Sequence, residues 1–155
     1  MSRAFVKEPD GGEPPEPLPD RPISPHPNLV TPEGLRAIDD RLEELRHRLA
    51  AGQAAGDRAA LAQIARDARY WAARRASAQV VAPRDNPSEV AFGATVTLLR
   101  DDGRRQTYRI VGEDEGDPPR GALSYVSPLA RALIGKCVGD VARSGNAEVE
   151  IVEIK

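Results

Sequence analysis

Two stretches of different hydrophobic period, separated by a proline-rich spacer, predict an α+β chain. The expected architecture is an N-terminal antiparallel α-helical hairpin, a short coiled coil, followed by a small antiparallel β domain with one short helix. In the first stretch Leu35, Ile38, Leu42, Leu45 and Leu49 recur at alternating spacings of three and four. That pattern draws one apolar seam along a helix. In the second, short runs rich in β-branched residues, such as Thr95-Val96-Thr97 and Val149-Glu150-Ile151-Val152, are separated by glycine-containing turns, the mark of strands. Pro83-Arg84-Asp85-Asn86-Pro87 is a spacer by composition,. The expected divisions are a disordered Pro/Gly/acidic tail over 1–28, the hairpin over 29–82, a linker over 83–89 and the β domain over 90–155.

In the tail, Pro9-Asp10-Gly11-Gly12-Glu13-Pro14-Pro15-Glu16-Pro17 carries too few apolar residues to offset ordering entropy,. A short docking peptide at Ser2-Arg3-Ala4-Phe5-Val6 competes there with a frayed terminus,. The first helix starts where Thr31 can cap, Pro32 suits the first helical position and Glu33 complements the helix dipole,. Gly52 and Gly56 bracket its end,. Asp57 can cap a second helix, in which Leu61, Ile64, Ala68 and Trp71 keep the same spacing. A short turn between the two requires antiparallel packing, and each arm spans roughly 30 Å.

Strands are expected at Ala94–Leu99 and Gln106–Val111, around an Asp102-Gly103 turn, then at Ala122–Val126, Val138–Ala142 and Ala147–Ile154,. Ser127 and Pro128 open a short helical turn reaching Ile134,.

Composition narrows the function classes. The chain has 155 residues, 40% of them hydrophobic, and a formal charge of −2, so a modest core is available and no global charge draws it to nucleic acid. Cys137 is the only cysteine, which excludes an internal disulfide and fits a reducing compartment,. As a thiol nucleophile it competes with the plainer reading of a small, half-buried side chain. Neither a membrane span nor a secretory signal is visible, so a soluble cytoplasmic monomer is expected. His26 and His47 have no cysteine or carboxylate at metal-ligand spacing, and neither is placed to serve a serine nucleophile,. No Walker loop or dinucleotide fingerprint occurs. No cofactor and no metal site is expected, and no catalytic residue is assigned.

The most informative stretch is Ser127-Pro128-Leu129-Ala130-Arg131-Ala132-Leu133-Ile134-Gly135-Lys136. Together with Phe92-Gly93-Ala94-Thr95-Val96 and Gln106-Thr107-Tyr108-Arg109-Ile110-Val111-Gly112, in that order along the chain, it closely resembles the C-terminal signature of the bacterial Gre transcript-cleavage factors. Leu29-Val30-Thr31-Pro32-Glu33-Gly34, Arg69-Tyr70 and Ala78-Gln79-Val80 are similar to the two ends of the Gre hairpin. The resemblance implies an FKBP-like C-terminal domain that docks on the rim of the secondary channel of core RNA polymerase. It also implies docking through Ser127, Pro128, Leu129 and Arg131. A physical account fits: proline orders the loop, Leu129 offers apolar contact, and Arg131 can pair with carboxylates. The plainer reading is a helix start with Leu129 and Leu133 in the core. The FKBP-like fold does not by itself confer prolyl isomerase activity.

The hairpin tip departs from the family. Cleavage-stimulating members carry a motif of the form Gly-Asp-x-x-Glu-Asn-x-Glu-Tyr, whose carboxylates help hold a second Mg²⁺ in the polymerase active site. Here the stretch reads Gly56-Asp57-Arg58-Ala59-Ala60-Leu61, with Ala60 in place of the glutamate and Leu61 in place of the asparagine. Helix capping accounts for Asp57. The interval Thr31 to Val80 is also shorter than in full Gre hairpins, and losing roughly nine residues per arm removes about 13 Å of reach. A hairpin of this kind resembles the Gre-related nucleoside diphosphate kinase regulator group.

The second helix is basic, with Arg58, Arg66, Arg69, Arg74 and Arg75 against Asp57 and Asp67. Arg66, Arg69, Arg74 and Arg75 are therefore candidate contacts to the channel or, weakly, to nucleic acid, set against a plain solvated face. Trp71 and Tyr70 could stack on a base, but Trp71 lies on the seam. The expected function is a non-enzymatic elongation regulator that docks on the polymerase without stimulating cleavage. The alternatives are an active transcript-cleavage factor and a generic protein- or nucleic-acid-binding adaptor.

Overall fold

The computed structural model describes residues 17–155; the Ser2–Val6 peptide and most of the proline-rich segment lie outside them. Strand β1 (Leu29–Val30) leads into helix α1 (Pro32–Ala55), which turns at Gly56 into helix α2 (Arg58–Ser77) and strand β2 (Gln79–Val80). The second domain contains β3 (Thr95–Arg100), β4 (Arg105–Val111), β5 (Ala122–Ser124), helix α3 (Pro128–Leu133), β6 (Val141–Ser144) and β7 (Ala147–Ile154). Among the described residues no helix is long and apolar enough to cross a membrane.

The caps form as their chemistry requires. The Thr31 hydroxyl accepts from the Gly34 amide at 2.9 Å and Asp57 accepts from the Ala60 amide at 3.1 Å. Gly56 closes α1 in the left-handed region at φ 67°, which glycine reaches without steric cost. Gly52 does not end α1, contrary to expectation. It lies inside the helix because the facing arm comes close: a Cβ there would sit 3.0 Å from Leu61 Cδ2. Ile38, Leu45 and Ile64 are the buried residues of the seam, Leu45 being 1% exposed.

The five strands of the C-terminal domain are ordered β5-β4-β3-β7-β6. Val96, Leu98, Ile110, Val149 and Ile151 supply the inner face, and Leu123, Ala130 and Leu133 complete the core. Val90 is the first core residue after the spacer, and its amide bonds the Lys136 carbonyl at 2.8 Å.

Three details differ from the sequence expectation. The sheet is not wholly antiparallel: β5 joins β4 in parallel, because residues 112–121 carry the chain back to the starting end through two short 3-10 turns, Glu113–Glu115 and Pro118–Arg120. A second parallel pair, β1 with β2, ties the two ends of the hairpin together. Finally, β6 begins three residues late, because the Asp140 carboxylate accepts from the Cys137 amide at 2.8 Å and Gly139 takes φ 91°. That turn leaves Cys137 exposed rather than half-buried.

Candidate functional site

Ser127 caps α3 by accepting from the Ala130 amide at 3.3 Å, and Pro128 fills the first helical position. Ala130 and Leu133 are fully buried, which fixes the turn to the core. Pro128 and Arg131 are thereby presented to solvent, while Ser127 and Leu129 are half-buried at the edge. One face of the turn therefore packs against the core, with Leu129 at its margin, and the other is free.

Gly56, Asp57 and Arg58 share the exposed hairpin tip. The single carboxylate is engaged as the α2 cap. Ala60 and Leu61 follow it, and among the described residues no three His, Cys, Asp or Glu side chains group in a way that could hold a metal. A divalent ion prefers several oxygen ligands, so this tip does not fit one.

Three of the four candidate arginines of the basic helix are engaged within the chain, and for Arg74 the structure corrects the reading of a surface contact. Arg74 is 2% exposed, a buried structural ion and not a surface contact. Its Nε donates to Asp114 Oδ2 at 2.6 Å, with Glu113 Oε2 3.8 Å from its Nη2. Arg69 Nε donates to Asp20 at 2.6 Å and its Nη2 to the Leu18 carbonyl at 3.2 Å. Arg75 pairs with Asp39 of α1 at 2.6 Å. Arg66 is half-buried, its Nε without a partner among the described residues. The reason is the seam: Trp71 is followed three residues on by Arg74, so a charged side chain occupies the next inward position and must find carboxylates there.

Those carboxylates form a junction that the sequence reading missed. The acidic turn Glu113–Glu115 lies against the hairpin base. Glu115 accepts from the amides of Thr31 and Gly112, both at 3.0 Å, and from the Thr31 hydroxyl. Asp114 accepts from the Tyr70 hydroxyl as well as from Arg74. The surrounding backbones are close. A Cβ on Gly34 would fall 2.2 Å from Glu115 Cδ, and one on Gly112 would fall 2.4 Å from the Leu29 carbonyl oxygen. An acidic triplet directly after Gly112, opposite a charged residue at a seam position, is the signal that could have found it. Beside this junction an open cleft of about 470 Å³ is lined by Val30, Glu33, Ile38 and Trp71, among others. Trp71 packs edge-on to Tyr70 at 5.1 Å, as a seam residue should.

Burial, followed by the hydrogen bond to Asp114, pushes the Tyr70 phenol up to about 12. Below about pH 10, the ordinary tyrosine value, the phenol is neutral in folded and unfolded chains alike, and its contribution to stability is complete. Between the two values only the unfolded chain has lost the proton, so stability falls as pH rises and is lost through about 12,. Titrating tyrosinate absorbance should show a component near 12 that disappears in Tyr70→Phe. Ordinary midpoints for all three tyrosines of the folded protein would refute this.

Residues 17–28, expected to be part of a mobile tail, form a strap along α2. Arg21 pairs with Asp67 at 3.2 Å and lies 3.9 Å over the Tyr70 ring. The Asn28 side chain donates to the Arg74 carbonyl at 2.8 Å and to Ser77 Oγ at 3.1 Å, adding a short hydrogen bond to a carbonyl at the helix end that Ser77 Oγ meets only at 3.5 Å,. Composition predicted mobility because it cannot register partners supplied by a distant helix.

A helical finger is rooted by a charged junction on a small β domain that presents a short helical turn to solvent. The family described as "Transcription elongation factor, GreA/GreB, C-term" matches residues 84–155. The chain is 38% identical over 154 residues to transcription elongation factor GreB of Neisseria meningitidis serogroup B, covering 83% of this chain and 93% of that protein. It is 36% identical over 149 residues to transcription elongation factor GreA of Paracoccus denitrificans, covering 81% of this chain and 96% of that protein. GreA factor homolog 1 of Thermus thermophilus, a solved structure, is similar with a TM-score of 0.41 and 19% identity, over 84% of this chain and 99% of that one. The chain belongs to the GreA/GreB family of transcription elongation factors.

Proposed function

We propose that this protein docks on core RNA polymerase at the rim of its secondary channel, through Ser127, Pro128, Leu129 and Arg131, and modulates elongation without stimulating transcript cleavage. The observation that carries this reading is the contrast between its two ends. The α3 turn is anchored by buried Ala130 and Leu133 and presents exposed Pro128 and Arg131, whereas the tip offers one carboxylate, already engaged as a cap. Arms of 24 and 20 residues reach roughly 30–36 Å. The GreB alignment spans 154 residues yet draws on 83% of this chain, so that relative has positions with no counterpart here. A shortened finger would account for such positions. The protein acts as a soluble cytoplasmic monomer and supplies no catalytic group of its own.

Binding to core polymerase, compared among wild type, Pro128→Ala and Arg131→Ala, tests the docking face. Each variant should bind about 10-fold more weakly, the loss typical of a well-placed interface residue, and undiminished binding by both would refute it. Backtracked complexes test the second half: no transcript shortening is expected, and shortening that depends on Asp57 would restore the cleavage-factor reading.

A further inference from the structure

We propose that the strap completes the docking face, with His26 as a positioning residue for Arg131. The inference rests on the reading of Arg131 as a contact to the polymerase. His26 Nε2 lies 3.3 Å from Arg131 Nη2. Arginine has no acceptor, so the imidazole nitrogen accepts, and the ring proton sits on Nδ1. The strap is held at this place independently of His26. The Tyr125 hydroxyl donates to the Pro27 carbonyl, the Leu29 amide donates to the same carbonyl at 3.0 Å, and Ser24 Oγ donates to Glu113 at 2.9 Å. Pro25 and Pro27 flank His26 and stiffen the backbone around it,.

The result is one continuous surface drawn from two distant parts of the chain. Exposed Pro25, His26 and Pro27 meet the exposed face of the α3 turn at Arg131, three residues on from exposed Pro128. No carboxylate occurs between Arg21 and Val30 or between Ser127 and Gly139, whereas Arg131 and Lys136 are cationic. The occupant that fits is a segment of core polymerase carrying carboxylates among apolar side chains. The imidazole takes one N–H of the guanidinium and leaves the rest of its fork directed outward. Arg131 is thereby ordered before the partner arrives, which removes part of the cost of binding.

Binding of the full chain to core polymerase decides this, with thermal midpoints confirming that the exposed His26 substitutions leave folding intact. His26→Ala should weaken binding about 3- to 10-fold, the usual effect of leaving one long interface side chain unordered. His26→Gln, which keeps an acceptor, should retain most of the affinity. His26→Glu should weaken binding as much as Arg131→Ala, because its carboxylate pairs with the guanidinium that the partner needs. In an Arg131→Ala background none of these changes should add to the loss. If Arg131→Ala binds weakly while His26→Ala and His26→Glu bind as wild type, the strap has no part in docking and the loop reading stands. Equal losses with and without Arg131 would overturn the positioning role. Full binding by Arg131→Ala would overturn both.

Discussion

Arg74→Met should destabilise the protein by about 3–5 kcal/mol, the usual cost of removing one partner from a buried ion pair. The Arg74 side chain is 2% exposed, and those of Asp114 and Glu113 are 13% and 19% exposed. Without the guanidinium, two adjacent carboxylates would share a largely dry site with, among the described residues, only the Tyr70 and Ser24 hydroxyls as side-chain donors. Urea unfolding of wild type and variant measures the difference. Adding Asp114→Asn to Arg74→Met should recover part of it, since the amide removes one of the stranded charges. A loss below about 1 kcal/mol, the range of exposed pairs, would mean that the junction is wet and the arginine dispensable.

Gly112→Ala should loosen the same junction by a different route, costing about 1–3 kcal/mol as overpacking does. Its φ of −68° suits alanine, so the penalty is purely steric. The added methyl would meet the Leu29 carbonyl oxygen at 2.4 Å and Glu115 Oε2 at 2.8 Å. The backbone oxygen cannot swing aside as a side chain would, so β1 and the acidic turn must separate. The amides of Thr31 and Gly112 both donate to Glu115, and their hydrogen exchange should accelerate together. Unchanged exchange at both would show that the close approach can relax without opening the junction.

What was legible in the sequence was local chemistry. Thr31, Asp57 and Ser127 act as caps because each needs an amide only three residues away. The Leu45 seam is read from spacing alone, and the α3 turn from its own serine and proline. What was missed depends on partners far along the chain. Arg74 finds Asp114 across forty residues, and Arg21 finds Asp67 across forty-six. Neither meeting leaves a periodic trace, so a buried arginine and a bound strap looked like a basic face and a loose tail. The parallel seat of β5 was hidden likewise, because its direction is set by two proline- and acid-containing turns whose path composition does not report.

Among the described residues, the finger's tip is joined to the rest of the molecule by its two arms alone. The turn at Gly56 has open space around it, and every tie at the root lies at least a helical turn or more below. The length of the finger is therefore independent of the platform that holds it. Adding seven residues to each arm, two turns that preserve the phase of the apolar stripe, would advance the end by about 10 Å. The root would not register the change. One anchored platform could in this way carry probes of graded length, a molecular dipstick whose calibration is altered without resetting its clamp.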